Sequence, residues 1–304
     1  MSIARPNDAE TQSKDAPAAP TGWRAAVGSG FQQLVRSRPT KPGETYGVPG
    51  QGETITLSIL TILVFLAVWW AVTALGLVKP LFVPSPQAIF QKFVDVLTNG
   101  FTGTSLLEHA GISAARVFGA FVLACIVGVP LGLAMGMSPT IRGIFDPPIE
   151  FYRPIPPLAY LPLMIIWFGI GETSKVLLIF LSVFAPVALG AKSGVRSAAI
   201  EQIHAAYSFG ASRWQVMRHV ILPSALPEIL TAMRIGIGFG WTTLVAAEMV
   251  AATKGLGYMV LTASQFLQTA TVIMGIIVIA AIAYGFDMVM RAIERRFVPW
   301  KGRM

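Results

Sequence analysis

The sequence predicts an all-α polytopic membrane protein, and three observations carry that prediction. Apolar residues make up 54% of the 304 residues and charged residues only 12%, with a mean hydropathy of +0.64. A soluble domain would carry roughly 25% charge. Six apolar runs are long enough to cross a hydrocarbon core, which takes about 20 residues as a helix. Lys and Arg, finally, fall unevenly on the segments between those runs. The net charge of +8 is spread between apolar runs and forms no basic patch with interleaved aromatics. That pattern argues for membrane orientation and against a nucleic-acid partner. The single cysteine, Cys125, excludes an internal disulfide.

In chain order, residues 1–54 are rich in Ala, Pro, Gly and polar groups without sustained periodicity, and read as a disordered cytoplasmic tail. The first apolar run starts at Ile55, too late and too long for a cleavable signal, so 55–76 is the first span. A periplasmic segment, 77–110, carries Pro80, Pro84 and Pro86 and then an amphipathic stretch, Ala88–Leu97, expected along the outer membrane surface. Further spans are expected at 111–137, 147–170, 174–192, 223–250 and 271–290, followed by a cytoplasmic tail over 291–304. Prolines 147, 148, 154, 156, 157 and 162 crowd the start of the third span, which predicts an irregular beginning that becomes regular near Leu161. Gly128, Gly132 and Gly136, and Gly236, Gly238 and Gly240, predict close helix packing. The second trio is no nucleotide fingerprint, because no strand precedes it and no acidic ribose partner follows.

Basic residues orient the bundle. With the N-terminus inside, and counting Arg153 and Lys192 at span edges, seventeen Lys and Arg fall on the inner side. Only Lys79, Lys92, Lys175, Lys254 and Arg116 fall outside. The bias places both termini and the 193–222 loop in the cytoplasm.

In that loop Ile200, Ile203, Tyr207, Trp214, Met217 and Ile221 recur at helical steps. Ala205, Ala206, Gly210 and Ala211 are small enough to let another protein approach closely. The segment His204-Ala205-Ala206-Tyr207-Ser208-Phe209-Gly210, nine residues, then Val220-Ile221-Leu222-Pro223 resembles the cytoplasmic coupling loop of bacterial ABC importer permeases. Other segments resemble one branch of that family, which imports taurine, aliphatic sulfonates, nitrate and bicarbonate. They are Pro84-Ser85-Pro86, Asp146-Pro147, Tyr152-Arg153-Pro154-Ile155-Pro156-Pro157, Trp167-Phe168-Gly169-Ile170-Gly171-Glu172, Val245-Ala246-Ala247-Glu248, Gly255-Leu256-Gly257-Tyr258 and Val298-Pro299-Trp300. The resemblance covers about residues 55–300. Glu150-Phe151-Tyr152-Arg153-Pro154, Phe168 through Lys175 and Leu244 through Glu248 look most like the taurine permeases. His204 departs from the family at a position where many members carry glutamate.

The resemblance implies a type I ABC importer permease fold, with residues 111–290 as the permease domain and the 196–223 loop gripping an ATPase through Ala205, Ala206, Gly210, Ala211, Leu222 and Pro223. It implies a homodimer of permease chains in the bacterial inner membrane, two ABC ATPase subunits, and a periplasmic substrate-binding protein. It also implies no cofactor on this chain, with ATP and magnesium held by the partner ATPase. The residues agree on one point independently. Gly190-Ala191-Lys192-Ser193 is the nearest approach to a phosphate-binding loop, and it lacks the Gly-Lys pair. The chain is therefore expected to be a non-catalytic subunit.

Charges inside spans are functional candidates by default. Glu248, with Thr242 and Thr243, and Arg234 nearer the cytoplasm, are expected to line a polar path for a small anion or zwitterion. The competing reading has Arg234 snorkelling to the inner headgroups and Glu248 marking the outer edge. Glu150 and Arg153 are expected to pair structurally, Asp287 with Arg291 likewise, and Arg116 to anchor outer headgroups. No metal is expected, since His109 and His219 lack partners at ligand spacing. Two other classes compete. A secondary transporter needs inverted repeats and midplane ion sites, and neither is visible. An intramembrane protease needs a second catalytic residue to match Asp287 or Ser138 in depth, and none is visible.

Overall fold

The computed structural model describes residues 55–299. The tail predicted over 1–54 and residues 300–304 lie outside the described residues. Every regular element within them is a helix: α1 (Ile55–Ala74), α2 (Pro86–Asn99), α3 (Leu106–Met137), α4 (Pro139–Tyr152), α5 (Pro157–Phe168), α6 (Glu172–Val195), α7 (Ile200–Ser208), α8 (Arg213–Ala251), α9 (Leu256–Gln265) and α10 (Thr269–Phe297). Five of these, α1, α3, α6, α8 and α10, are long and apolar enough to cross a membrane.

The third predicted run behaves differently. The chain is helical through Tyr152, breaks at 153–156, and resumes as α5, which has 12 residues. At 1.5 Å per residue α5 spans about 18 Å, short of a hydrocarbon core of about 30 Å. Proline chemistry explains the break. Pro154, Pro156 and Pro157 donate no N–H, and Pro157 holds Pro156 extended, with ψ 131°. Helix α10, conversely, continues past the expected end at 290 to Phe297.

The chain divides into two compact units, Met1–Val72 and Thr73–Met304. The described part of the first is α1 up to Val72, predominantly apolar with no distinct polar face. In the second, α6 packs against α3 on one side and α8 on the other. Val117, Ala120, Phe121 and Ala124 of α3 meet Ile179, Val183 and Val187 of α6, with Ile237, Trp241 and Leu244 of α8 completing the buried core.

Small residues set those separations. A Cβ on Gly132 would run into the Ala188 backbone, and one on Gly136 would lie 2.6 Å from the Val195 Cβ. Gly236 and Gly240 likewise face Val183, whereas a Cβ on Gly238 would meet nothing within 4 Å. Spacing two rotates a helical position by about 200°, so Gly238 stands on the opposite face from its neighbours. The expected trio is a pair. Ser85 and Ser105 cap α2 and α3 by accepting from the N–H groups of Ala88 and Glu108, at 3.2 and 3.1 Å.

Candidate functional site

The sequence-predicted coupling element is a short helix, a left-handed turn and a second helix start. The nine residues of α7 end at Ser208, with Phe209 as the C-cap. Gly210 then takes φ +81°, a conformation that side-chain-bearing residues adopt only under strain. Ala211 N–H returns to the Ala206 carbonyl at 3.1 Å, closing the turn. Ser212 starts α8 with reciprocal caps: its hydroxyl accepts from Gln215 N–H at 3.4 Å, and its own N–H donates to Gln215 Oε1 at 2.7 Å.

One turn further, Leu222 N–H reaches the Met217 carbonyl, so residues Met217–Ile221 form a single wide π turn. Such turns cluster at functional sites. The extra residue puts Val216 and Ile221 on the same buried face although they are five apart. The apolar stripe therefore divides. Ile221 goes into the bundle, while Tyr207, Phe209 and Trp214 stay outside with exposures of 45%, 93% and 65%. Ala205 and Pro223 are exposed beside them, and Ala206, Ala211 and Leu222 are half-buried. The result is a step of small residues flanked by uncovered aromatics.

The expected polar path is not one site in this chain. Glu248 is completely buried. It accepts from Arg116 Nη1 at 2.6 Å, from the Ser113 hydroxyl at 2.8 Å and from Gly257 N–H at 2.8 Å. Thr242 is exposed and donates back to the Gly238 carbonyl, whereas Thr243 is buried. Arg234 lies fourteen residues, roughly 20 Å, along α8 from Glu248. It pairs there with Asp287 and Glu294 of α10, both at 3.1 Å. Asp287 also takes Arg291 at 2.5 Å.

Arg116 is no headgroup anchor. Only 6% exposed, it makes a two-pronged contact with Glu172, at 2.5 and 2.6 Å, and also donates to the Lys254 carbonyl at 2.8 Å. Lys175 adds a second cation, 2.9 Å from Glu172. Gly255 N–H donates to His109 Nδ1 at 3.0 Å, which fixes Nε2 as the protonated nitrogen, facing the Phe101 carbonyl at 3.4 Å. Leu256 N–H donates to Ser113 Oγ at 2.8 Å. These bonds tie α3, α6 and α8 to the loop before α9. Gly255 and Gly257 are obligatory there, since a Cβ on either would strike the Glu248 side chain. A signal was present in the sequence: His109, Ser113 and Arg116 recur at helical spacing inside an apolar run.

Near the break between α4 and α5, Glu150 and Arg153 approach only to 3.9 Å, and Glu150 also comes within 3.7 Å of Lys192. Lys192 makes its shorter contact, 2.5 Å, with Asp146. A cavity of about 470 Å³ opens beside this break and is walled by α6 and α8.

Comparison with known proteins places these features. The family described as "Binding-protein-dependent transport system inner membrane component" matches residues 128–299. The chain is 55% identical over 251 residues, 82% of its length and 91% of the relative's, to the taurine transport system permease protein TauC of Escherichia coli (strain K12). It is 35% identical to the putative aliphatic sulfonates transport permease protein SsuC of Bacillus subtilis (strain 168), covering 78% and 85% of the two chains. Identity to the bicarbonate transport system permease protein CmpB of Synechococcus elongatus is 28%, over 83% and 89%. The fold also matches a crystal structure of an amino acid ABC transporter with histidines, at TM-score 0.50 and 22% identity, covering 71% of this chain and 97% of the other.

Proposed function

This chain belongs to the binding-protein-dependent transport system inner membrane component family, and we propose that it is the permease subunit of an ATP-driven importer for taurine. The helical fold with five long apolar helices and the 55% identity to a taurine permease support that reading. The observation that carries the mechanism is the α7–Gly210–α8 element. Its exposed Phe209 and Trp214 beside a left-handed glycine turn suit insertion into a groove on another protein. The partners this requires are two ABC ATPase subunits, which hold ATP and magnesium, a periplasmic substrate-binding protein, and a second copy of this chain. The permease catalyses no reaction itself. It lies in the bacterial inner membrane with α7 and both termini in the cytoplasm.

The mechanism follows from this placement. Closure of the ATPases on ATP pulls α7 and the start of α8. The buried α3–α6–α8 core transmits that movement as a rigid body, because glycine contacts this tight resist sliding. Aliphatic sulfonates, nitrate and bicarbonate are the alternative cargoes, the first and last supported by the sulfonate and bicarbonate relatives. The test is uptake of radiolabelled taurine by vesicles carrying the complete importer, in competition with ethanesulfonate, nitrate and bicarbonate. Displacement by unlabelled taurine at the lowest concentration is expected. Stronger displacement by any of the others would reassign the cargo.

A further inference from the structure

We propose that the cavity at the α4–α5 break is a binding site for a small zwitterion, with Arg153 holding the anionic end and Glu228 the ammonium. The cavity volume, about 470 Å³, falls within the range of small-molecule sites, about 300–1,000 Å³. Its walls carry one cation, Arg153, and one anion, Glu228. Arg153 is 59% exposed, and its nearest carboxylate stands off at 3.9 Å. Glu228, which lines the cavity from α8, is exposed and makes no ion pair among the described residues. Arg153 stands in the break between α4 and α5, and Glu228 is exposed on α8, so both head groups are accessible to a ligand that enters the cavity.

The backbone adds an acceptor. Pro186 lies inside α6 and supplies no N–H to the Ser182 carbonyl one turn earlier, and both residues line the cavity. Ile235 and Phe239 give the rest of the wall an apolar surface against which a short carbon chain can lie. A guanidinium matches the oxygens of a sulfonate with its fixed donors. The Glu228 carboxylate and the Ser182 carbonyl, to which Pro186 offers no donor, together match an ammonium. The same carboxylate repels anions that carry no ammonium, such as simple alkanesulfonates or bicarbonate, so Glu228 would discriminate and not merely bind. This proposal rests on the taurine reading above.

The experiment uses the permease–ATPase complex in nanodiscs without binding protein. It measures the rate at which N-ethylmaleimide labels Ser182→Cys in a Cys125→Ala background, with Ile235→Cys as a second reporter. Taurine at saturation is expected to slow labelling on the order of tenfold. Ethanesulfonate should need a concentration roughly tenfold or more higher for the same protection, the scale of one lost charged hydrogen bond. Glu228→Gln should bring the two ligands to equal potency, and Arg153→Gln should remove protection by both. Labelling at both reporters that is indifferent to taurine, in a complex whose vesicles take up taurine, overturns the site and leaves the transport reading standing. Protection by taurine in a complex that moves none supports the site and overturns the proposed cargo. Equal protection by taurine and ethanesulfonate in the wild type overturns the role of Glu228.

Discussion

Arg116 and Glu248 are 132 positions apart in sequence and meet at 2.6 Å inside the bundle. Their energetics follow from burial. Removing one member of a buried, hydrogen-bonded ion pair strands the other, at a cost of about 3–5 kcal/mol. Glu248→Ala would also strip partners from Ser113 and Gly257, so a large fall in the thermal unfolding midpoint of the purified permease is expected. The exposed pair Lys254–Glu108, at 2.6 Å, provides the contrast, and Glu108→Gln should cost no more than about 1 kcal/mol. Equal midpoints for the two variants would show that the buried network does not hold the bundle together. A Glu248 that only lined a polar path would lose transport on replacement and leave the complex intact. The packing instead predicts that the amount of complex falls as well. Local spacing marks the His109–Ser113–Arg116 face, but no periodicity announces a partner on another helix, so the sequence by itself points Arg116 to the membrane surface.

Helices and turns were more legible than side-chain partners, because their causes are local. Gly210 and the amphipathic stretch after Pro86 each sit within a few residues of what they determine. The break at 153–156 was visible as a cluster of prolines, but whether the chain would cross it as one helix depended on packing against α6. At Gly210 the structure sharpens the prediction. A Cβ there would meet nothing within 4 Å, so any defect comes from φ +81° or from the docked partner. Gly210→Val should strain the turn by about 1–3 kcal/mol, whereas Gly210→Asn, whose side chain tolerates left-handed backbone, should keep it. Pull-down of the ATPase subunits is expected to fail for the valine and persist for the asparagine variant. Identical recovery would mean that the turn's backbone does not matter for docking. Gly210→Glu, adding bulk and charge as well, should leave an inserted permease without its ATPases. Between helices, Gly132→Leu drives a side chain into the Ala188 backbone and should separate α3 from α6. Such overpacking costs about 1–3 kcal/mol or more, read as loss of monodisperse protein on size-exclusion chromatography.

For the whole molecule, the distribution of basic residues predicts orientation, and reporter fusions after Gly194 and after Lys301 should both report cytoplasm. A periplasmic signal from either would invert the assignment and remove α7 from the reach of ATP. An ATPase-coupled importer and a gradient-driven carrier differ in one decisive respect, the source of energy. The most direct test reconstitutes permease, ATPase subunits and binding protein in liposomes and follows labelled taurine with ionophores present to collapse every ion gradient. Uptake should continue at full rate with ATP and stop when ATP is withdrawn. Uptake that vanishes with the gradients and ignores ATP would contradict the assignment of this chain as the permease of an ATP-driven importer.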